Sequence, residues 1–155
     1  VPVYAPASVR PFAYQDTEPY LVWNTVTDGD RVQIGTMAFT FSRTDHPPET
    51  LACRIDAGGR SLGYSADTGP GWHLRALGPG LDLALCEATM SDDADEHPIH
   101  LTARQAGTQA AEAGAGRLVV THFWPTSDPH VAVERASEAF GRAAEMAVPN
   151  REYEI

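Results

Sequence analysis

Residues 61–69 read S-L-G-Y-S-A-D-T-G, and the prediction of the fold starts from this segment. Its short apolar run ends abruptly at Asp67, and Thr68 and a Gly-Pro-Gly turn follow. Two later segments repeat the arrangement: L-D-L-A-L-C-E-A-T contains Glu87, and R-L-V-V-T-H-F-W-P contains His122. Three polar side chains at the ends of three predicted strands indicate one cleft with one chemistry.

Predicted strands and helices alternate after Asp67. A capping-box pattern at Thr102 and Gln105 opens one helix, and Asp128 followed by a proline opens another. Such β-α-β-α-β alternation implies parallel strands joined by right-handed crossovers, and ligands bind beyond the carboxyl ends of strands in sheets of this kind. The predicted elements are a short helix at 72–77, helices at 103–113 and 129–140, and strands at 81–86, 117–121, 144–148 and 152–155.

The first half of the chain is predicted to be a β-meander. The paired glycines of A-G-G-R, residues 57–60, suit a tight hairpin turn. The predicted elements are one or two helical turns at 7–14 and strands at 1–6, 20–26, 31–35, 37–42, 51–56 and 61–65. We therefore predict an α/β fold for residues 1–155, in which a β-meander precedes the β-α-β-α-β segment.

The composition excludes some partners. The net charge is −10, with eleven arginines and no lysine, so no basic stripe is available to follow the backbone of an extended nucleic acid. The acidic run at 91–96 is interpreted as a solvated connection. No apolar run reaches the roughly 18 residues of a membrane-spanning helix, so no membrane contact is predicted.

The two cysteines bear on the compartment. Cys53 and Cys86 both lie inside predicted strands, where buried free thiols are expected rather than a disulfide. Free thiols are typical of a reducing compartment, and the predicted location is therefore cytoplasmic.

Two further histidines extend the predicted cleft. His46 follows a strand in S-R-T-D-H-P-P-E-T, and His100 precedes a helix in H-P-I-H-L-T-A-R-Q-A-G. Two histidines and one aspartate are ligand types that suit zinc, manganese or iron. A carboxylate can bridge two such cations, and water bound to them becomes a nucleophile near neutral pH.

Each of these residues also has an interpretation without a metal. Asp67 can cap the turn that follows it, Glu87 can be a buried carboxylate paired with an arginine or with backbone N–H groups, and His100 can belong to the helix cap. His122 alone is more often a hydrogen-bonded residue at a strand end, and His46, beside two prolines, is more often an exposed loop residue. Three other histidines are interpreted as surface residues: His73, His97 and His130.

The motifs resemble, in this order, the second half of a metallo-β-lactamase-fold hydrolase, in the branch of ribonuclease Z and bacterial cyclic phosphodiesterases. They read T-D-H-P-P-E-T-L-A-C-R-I-D, S-L-G-Y-S-A-D-T-G-P, D-L-A-L-C-E-A-T-M, H-P-I-H-L-T-A-R-Q-A-G and R-L-V-V-T-H-F-W-P, and they lie within residues 39–125. Ala66 stands where the family commonly has glycine, in S-G-D-T. The resemblance implies half of an αββα sandwich.

The resemblance also implies the roles of the site residues. The metal ligands would be His46, Asp67 and His122. Asp67 would bridge two divalent ions, for which zinc is expected first and manganese or iron are the alternatives. His100 would contact the scissile phosphate or protonate the leaving group. Glu87 and Thr68 would lie behind the ligands, with Glu87 orienting one of them.

One family motif is absent. H-x-H-x-D-H, which supplies most ligands of the first metal, does not occur in this sequence, where the only Asp-His pair is Asp45-His46. The family places that motif before a segment resembling V-P-V-Y-A-P-A-S-V, residues 1–9. The chain is therefore expected to be the C-terminal portion of a single metallo-β-lactamase-like domain and to be inactive alone. The N-terminal half of the same domain or a partner chain would complete it, and exposed strand edges favour a homo-oligomer.

The expected function is hydrolysis of a small or cyclic phosphodiester by a metal-bridging hydroxide. Ribonuclease Z usually carries a long arm for tRNA between the positions that correspond to His46 and Asp67, and only twenty residues separate them here. One alternative is a carbonyl-directed hydrolase of the same fold, acting on a lactone, thioester or β-lactam. Another is an inactive fragment that binds a partner.

Overall fold

The fold is described from a computed structural model covering residues 1–13, 18–90 and 98–155, without the side chain of residue 18. The acidic run at 91–96 and His97 lie outside the described residues. Within the described part, the strands are β1 (Pro2–Ala5), β2 (Val22–Thr25), β3 (Arg31–Ile34), β4 (Met37–Arg43), β5 (Leu51–Ala57), β6 (Arg60–Tyr64), β7 (Leu83–Glu87), β8 (Arg117–Thr121) and β9 (Glu145–Met146). The helices are α1 (Ala103–Glu112), α2 (Pro129–Phe140) and 3₁₀ turns at Ala7–Phe12, Glu18–Tyr20 and Leu74–Leu77.

The large sheet has its strands in the order β3-β4-β5-β6-β7-β8-β9. Strands β3 to β6 form an antiparallel meander, and the hairpin between β5 and β6 turns at Gly58 and Gly59, which both have positive φ as the sequence predicts. From β6 to β9 the strands are parallel. The carboxyl ends of β6, β7 and β8 therefore lie side by side at one edge, and the predicted β-meander and parallel β-α-β-α-β segment are confirmed.

Helix α1 packs closely against α2. It begins with the predicted capping box, in which the backbone N–H of Gln105 donates to Thr102 Oγ1 at 3.1 Å and Thr102 N–H donates to Gln105 Oε1 at 2.8 Å. At Gly107 a Cβ would lie 2.3 Å from the Ala136 carbonyl oxygen, so only glycine permits this approach to α2. The small side chains along α1 thus bring both helices onto one face of the parallel sheet.

A buried glutamine fixes the segment that follows the candidate site. Gln109, on α1, is 4% exposed; its Nε2 donates to the Trp72 carbonyl and its Oε1 accepts from Leu74 N–H, both at 3.0 Å. Burial of an amide is costly unless both ends are hydrogen-bonded, and here both are. The chain after Asp67 is consequently held against α1.

Three details differ from the prediction. Residues 151–155 form no strand; instead Tyr153 donates its hydroxyl proton to the Met146 carbonyl and the Glu154 carbonyl accepts from Arg117, which holds the segment by side chains. The one or two helical turns predicted at 7–14 are a 3₁₀ helix at Ala7–Phe12 that includes Pro11, and the short helix predicted at 72–77 is a 3₁₀ helix that begins two residues later, at Leu74–Leu77. Strands β1 and β2 pair with each other in parallel and form a separate two-stranded sheet, so neither joins the meander.

The cysteines are free thiols, as predicted. Cys86 on β7 is completely buried, and burial raises its pKa to about 12. Cys53 on β5 is half-buried, with its pKa raised by burial to about 11. Both thiols therefore stay protonated and unreactive at neutral pH. Among the described residues, no helix is both long and apolar enough to cross a membrane.

Candidate metal centre

The carboxyl-edge cluster, which we define as His46, Asp67, Glu87, His100 and His122, brings together all the charged and imidazole groups proposed from the sequence. Asp67 and His122 follow β6 and β8, and Glu87 ends β7. His122 Nδ1 lies 3.6 Å from Asp67 Oδ1. Parallel strands in register place the three groups at one edge, as the sequence predicts.

The two loop histidines join this cluster. The ring centroids of His46 and His100 are 5.0 Å apart, and those of His100 and His122 are 5.1 Å apart. One ligand atom from each of His46, Asp67 and His100 lies within 4.8 Å of the others, and the same holds for Glu87, His100 and His122. His100 is therefore the residue common to the two groups. Asp67 belongs to the first group and also lies next to His122 of the second.

Glu87 is the buried centre of the cluster. It is 1% exposed and accepts four hydrogen bonds. Oε1 accepts from Thr68 N–H at 2.6 Å and contacts His100 Nδ1 at 2.9 Å, while Oε2 accepts from the Thr89 hydroxyl at 2.7 Å and Leu101 N–H at 3.2 Å. A carboxylate with this many donors is well compensated for burial. Two of the donors are backbone N–H groups, as one of the alternatives predicted, and among the described residues no arginine contacts Glu87.

Glu87 also determines the orientation of His100. Because a carboxylate only accepts, the contact assigns a proton to His100 Nδ1 and leaves Nε2 for other chemistry. The helix N-cap is Thr102 rather than His100. The alternative of His100 as a helix cap is therefore wrong. Glu87 contacts His100 directly, whereas the expected role was to orient a metal ligand, and that role stays a prediction.

Thr89 is a residue that sequence reasoning missed. Its hydroxyl oxygen lies 2.6 Å from His122 Nδ1, 2.7 Å from the His122 carbonyl oxygen and 2.7 Å from Glu87 Oε2. It thus connects the buried carboxylate to the histidine at the end of β8. The signal available in the sequence was its position two residues after Glu87 on the same side of an extended chain.

Two residues next to the strands adopt left-handed backbone conformations. Ala66 has φ of 50° and His122 has φ of 58°, a region that non-glycine residues rarely occupy. The value at Ala66 explains why glycine is commoner at this position of the motif, since glycine has no Cβ to strain. At His122 the conformation turns the imidazole back toward Asp67 and Thr89, and such strain is often retained where function needs it.

Asp45 is a second residue that the sequence did not single out. Its Oδ2 accepts from Gly71 N–H at 3.0 Å, and its carbonyl accepts from Gly69 N–H at 2.7 Å. The carboxylate that caps this turn is thus Asp45, and the alternative that Asp67 caps it is wrong. Asp67 is left 36% exposed beside His122. His46 follows Asp45 directly, so these hydrogen bonds also fix the position of the His46 backbone.

The Gly71 position gives a testable prediction. A Cβ there would lie 2.4 Å from Asp45 Oδ2, so Gly71→Ala should displace Asp45 and cost about 1–3 kcal/mol in unfolding free energy, measured by urea denaturation. In an Asp45→Ala background the obstructing carboxylate is gone, and Gly71→Ala should cost much less. Equal costs in both backgrounds would contradict the contact.

The donor set suits divalent cations. Imidazole nitrogens and carboxylate oxygens are the ligands of zinc, manganese and iron sites, and half-exposed donors beside a fully buried carboxylate leave room for an ion and a substrate. His73 and His130 are exposed, in agreement with the prediction that they are surface residues. The ligand roles of His46, Asp67 and His122 stay predictions.

Known proteins share both the sequence pattern and the fold. A family model described as "Beta-lactamase superfamily domain" matches residues 1–123. The protein ML1173 of Mycobacterium leprae is 33% identical over 130 residues, covering 83% of this chain and 46% of the relative. Ribonuclease Z of Myxococcus xanthus is 37% identical over 110 residues, covering 68% of this chain and 35% of the relative.

Solved structures agree with this result. The metallo-beta-lactamase fold protein YhfI from Bacillus subtilis superposes with a TM-score of 0.80 at 25% identity, covering 94% of this chain and 60% of YhfI. The short form of human tRNase Z superposes with a TM-score of 0.62 at 22% identity, covering 81% of this chain and 61% of the human protein. At this level of identity the similarity is one of fold alone. The chain spans about half the length of the curated relatives just named, or less.

Proposed function

This chain belongs to the beta-lactamase superfamily, and on that premise we propose that it supplies the C-terminal half of the active site of a metal-dependent phosphodiesterase. The carrying observation is the convergence of His46, Asp67, His100 and His122, with His100 held by the buried carboxylate of Glu87. The predicted superfamily and its α/β fold are confirmed, and the activity is our proposal.

His46, Asp67 and His122 are the residues that would hold the divalent ions, with zinc as the first candidate. Asp67 Oδ1 lies 3.6 Å from His122 Nδ1, and one ligand atom of Asp67 lies within 4.8 Å of one of His46, which supports Asp67 as a ligand that would act together with both histidines. Bound divalent ions would supply Lewis acidity and a water of lowered pKa. The remaining ligands would come from a segment outside these residues, either of the same domain or of a partner chain.

His100 would act on the leaving group. Glu87 holds Nδ1, so Nε2 is the nitrogen that can donate a proton to a leaving alkoxide or a hydrogen bond to a phosphoryl oxygen. Thr68 contributes through its backbone, whose N–H donates to Glu87.

Two features support a small or cyclic substrate. Between His46 and Asp67 the chain forms only β5, a two-glycine turn and β6, so no arm extends from this position to grip an RNA. The net charge of −10 opposes a polyanion. The name of the Myxococcus xanthus relative, ribonuclease Z, favours RNA as the competing substrate.

An apolar row supports a partner on the open sheet face. Phe39 pairs with Ile55 and Ile55 with Leu62, all half-buried. Side chains alternate across a strand, and the neighbouring Gly63 faces Leu77 and Leu81 on the helix side, so Leu62 faces away from the helices. We propose that the upstream half of the domain covers this row. We also propose that the assembled protein is a homo-oligomer and that it is located in the cytoplasm.

The test compares substrates in the full-length protein. With zinc or manganese present, we expect hydrolysis of bis(p-nitrophenyl) phosphate, and little action on a lactone, a thioester, a β-lactam or a precursor tRNA. The 155-residue chain alone should show no turnover. Hydrolysis of a carbonyl substrate without the phosphodiester would favour the carbonyl-directed alternative, and turnover by the purified chain would refute the half-site.

A further inference from the structure

All three histidines of the carboxyl-edge cluster have an oxygen atom beside the ring nitrogen Nδ1. The oxygen belongs to a glutamate in one case and to a threonine hydroxyl in the other two. The contacts are His100 Nδ1 to Glu87 Oε1 at 2.9 Å, His122 Nδ1 to Thr89 Oγ1 at 2.6 Å and His46 Nδ1 to Thr50 Oγ1 at 3.3 Å. Rings from three different connections of the fold are thus held by the same nitrogen. Neither threonine belongs to the proposed ligand set, so their hydroxyls need another explanation.

The Thr89 hydroxyl must accept a hydrogen bond from His122. A hydroxyl has one proton to donate. Glu87 Oε2 and the His122 carbonyl oxygen can only accept, and each lies 2.7 Å from Thr89 Oγ1, so the proton points to one of them. Thr89 therefore turns a lone pair to His122 Nδ1, and this nitrogen carries the proton of the ring. Since Thr89 is 2% exposed, water does not compete for the contact.

Thr50 acts on His46 in the same way. It directly precedes β5, and its hydroxyl donates to the Pro48 carbonyl at 3.0 Å. Because its one proton is engaged there, the Thr50 oxygen can only accept from His46 Nδ1. This contact is longer than that of Thr89, 3.3 Å against 2.6 Å, and Thr50 is half-buried, so we expect a weaker effect on its histidine.

Asp67 does not hold the His122 proton. Its Oδ1 lies 3.6 Å from His122 Nδ1, which is beyond hydrogen-bond distance. A neutral imidazole that is protonated on Nδ1 has its lone pair on Nε2, and only the nitrogen with the lone pair can bind a cation. His46 and His122 therefore both offer Nε2 to an ion, and the Asp67 carboxylate is not used to orient His122.

We propose that Thr50 and Thr89 are positioning residues, which fix the proton of His46 and of His122 on Nδ1 and so reserve Nε2 of both rings for a divalent cation. The cation rests on the proposed function, whereas the position of the two protons is a property of the metal-free protein. Thr89 has the larger effect, because its contact is shorter and more deeply buried.

The position of each proton can be measured by nuclear magnetic resonance, because the nitrogen chemical shift differs between a protonated and an unprotonated ring nitrogen. In the metal-free full-length protein, labelled with ¹⁵N-histidine and kept in mildly alkaline solution, we expect His46 and His122 to be protonated on Nδ1. Their signals are identified by their loss in His46→Gln and His122→Gln. A proton on Nε2 of either ring would overturn the proposal.

Variants of Thr89 separate positioning from a structural role. Thr89→Val keeps the shape of the side chain and removes the hydroxyl, so it should leave His122 as a mixture of both tautomers, and Thr89→Ser should restore the Nδ1–H form. The matched control is Thr44→Val, at a buried threonine whose hydroxyl contacts the carbonyls of Thr50 and Asp67 rather than a ring. It should lower the midpoint of thermal unfolding without moving the His122 proton. A proton that stays on His122 Nδ1 in Thr89→Val would show that Thr89 does not position it.

Zinc affinity, measured by competition with a chelator, gives a second readout that does not depend on turnover. Loss of a group behind a histidine ligand lowers metal affinity about 10–100-fold, and we expect a loss in this range for Thr89→Val, a smaller one for Thr50→Val and almost none for Thr89→Ser. Wild-type affinity in Thr89→Val would refute the positioning role. The expected proton positions in a protein that hydrolyses no phosphodiester would instead refute the proposed function and leave the positioning role standing.

Discussion

Asp67→Ala should abolish phosphodiester hydrolysis while leaving the fold intact. If Asp67 lies between two cations, its removal takes a ligand from both, and we expect kcat/KM on bis(p-nitrophenyl) phosphate to fall by at least about 10²-fold with loss of bound metal. The side chain is 36% exposed and its contact with His122 spans 3.6 Å, so little packing is lost. The midpoint of thermal unfolding of the metal-free protein should therefore barely change.

Matched variants separate the metal role from a general effect of charge. Asp56→Ala removes a carboxylate of the same type and similar exposure, 44%, which pairs with Arg54 on the same strand, and it should keep activity and metal content. His122→Ala should behave like Asp67→Ala, and His130→Ala like Asp56→Ala. Retained metal stoichiometry in both Asp67→Ala and His122→Ala, measured by elemental analysis, would rule out the ligand assignment.

The sequence pattern was sufficient for the parts of the fold that local rules determine. The Gly58-Gly59 hairpin, the Thr102-Gln105 capping box and the proline after Asp128 each act within a few residues, and each is found as predicted. Once β6, β7 and β8 are parallel neighbours, their carboxyl ends lie at the same edge of the sheet. The gathering of Asp67, Glu87 and His122 was therefore predictable.

The details that were missed depend on contacts distant in sequence. Nothing in β1 or β2 indicates that each pairs with the other in parallel, since β-strand partners are chosen by packing rather than by local propensity. Asp45 caps a turn 26 residues away, and Thr89 meets His122 across 33 residues. Hydrogen bonds of this kind require the backbone to be placed within tenths of an ångström, which residue type and spacing do not specify.

Glu87→Ala should destabilise the protein more than any other change in the cluster. The substitution removes the acceptor of four donors in a site that is 1% exposed: Thr68 N–H, Leu101 N–H, the Thr89 hydroxyl and His100 Nδ1. The Thr89 hydroxyl can turn to the His122 carbonyl, 2.7 Å away, whereas the other three donors lose the acceptor that the structure gives them. Removing one partner of a buried charged network costs about 3–5 kcal/mol, because the remaining polar groups stay buried and unpaired. Urea unfolding of the full-length protein measures the loss.

Glu145→Ala is the matched control for this prediction. Glu145 lies on the parallel strand β9 and pairs with Arg117 and Arg151, but its side chain is 30% exposed, so its removal should cost only about 1 kcal/mol or less. Glu87→Gln keeps the shape and one acceptor oxygen but turns an N–H group toward the donors, and it should fall between the two. Equal losses in Glu87→Ala and Glu145→Ala would show that the four hydrogen bonds do not act as a buried network, and the orientation of His100 would then need another cause.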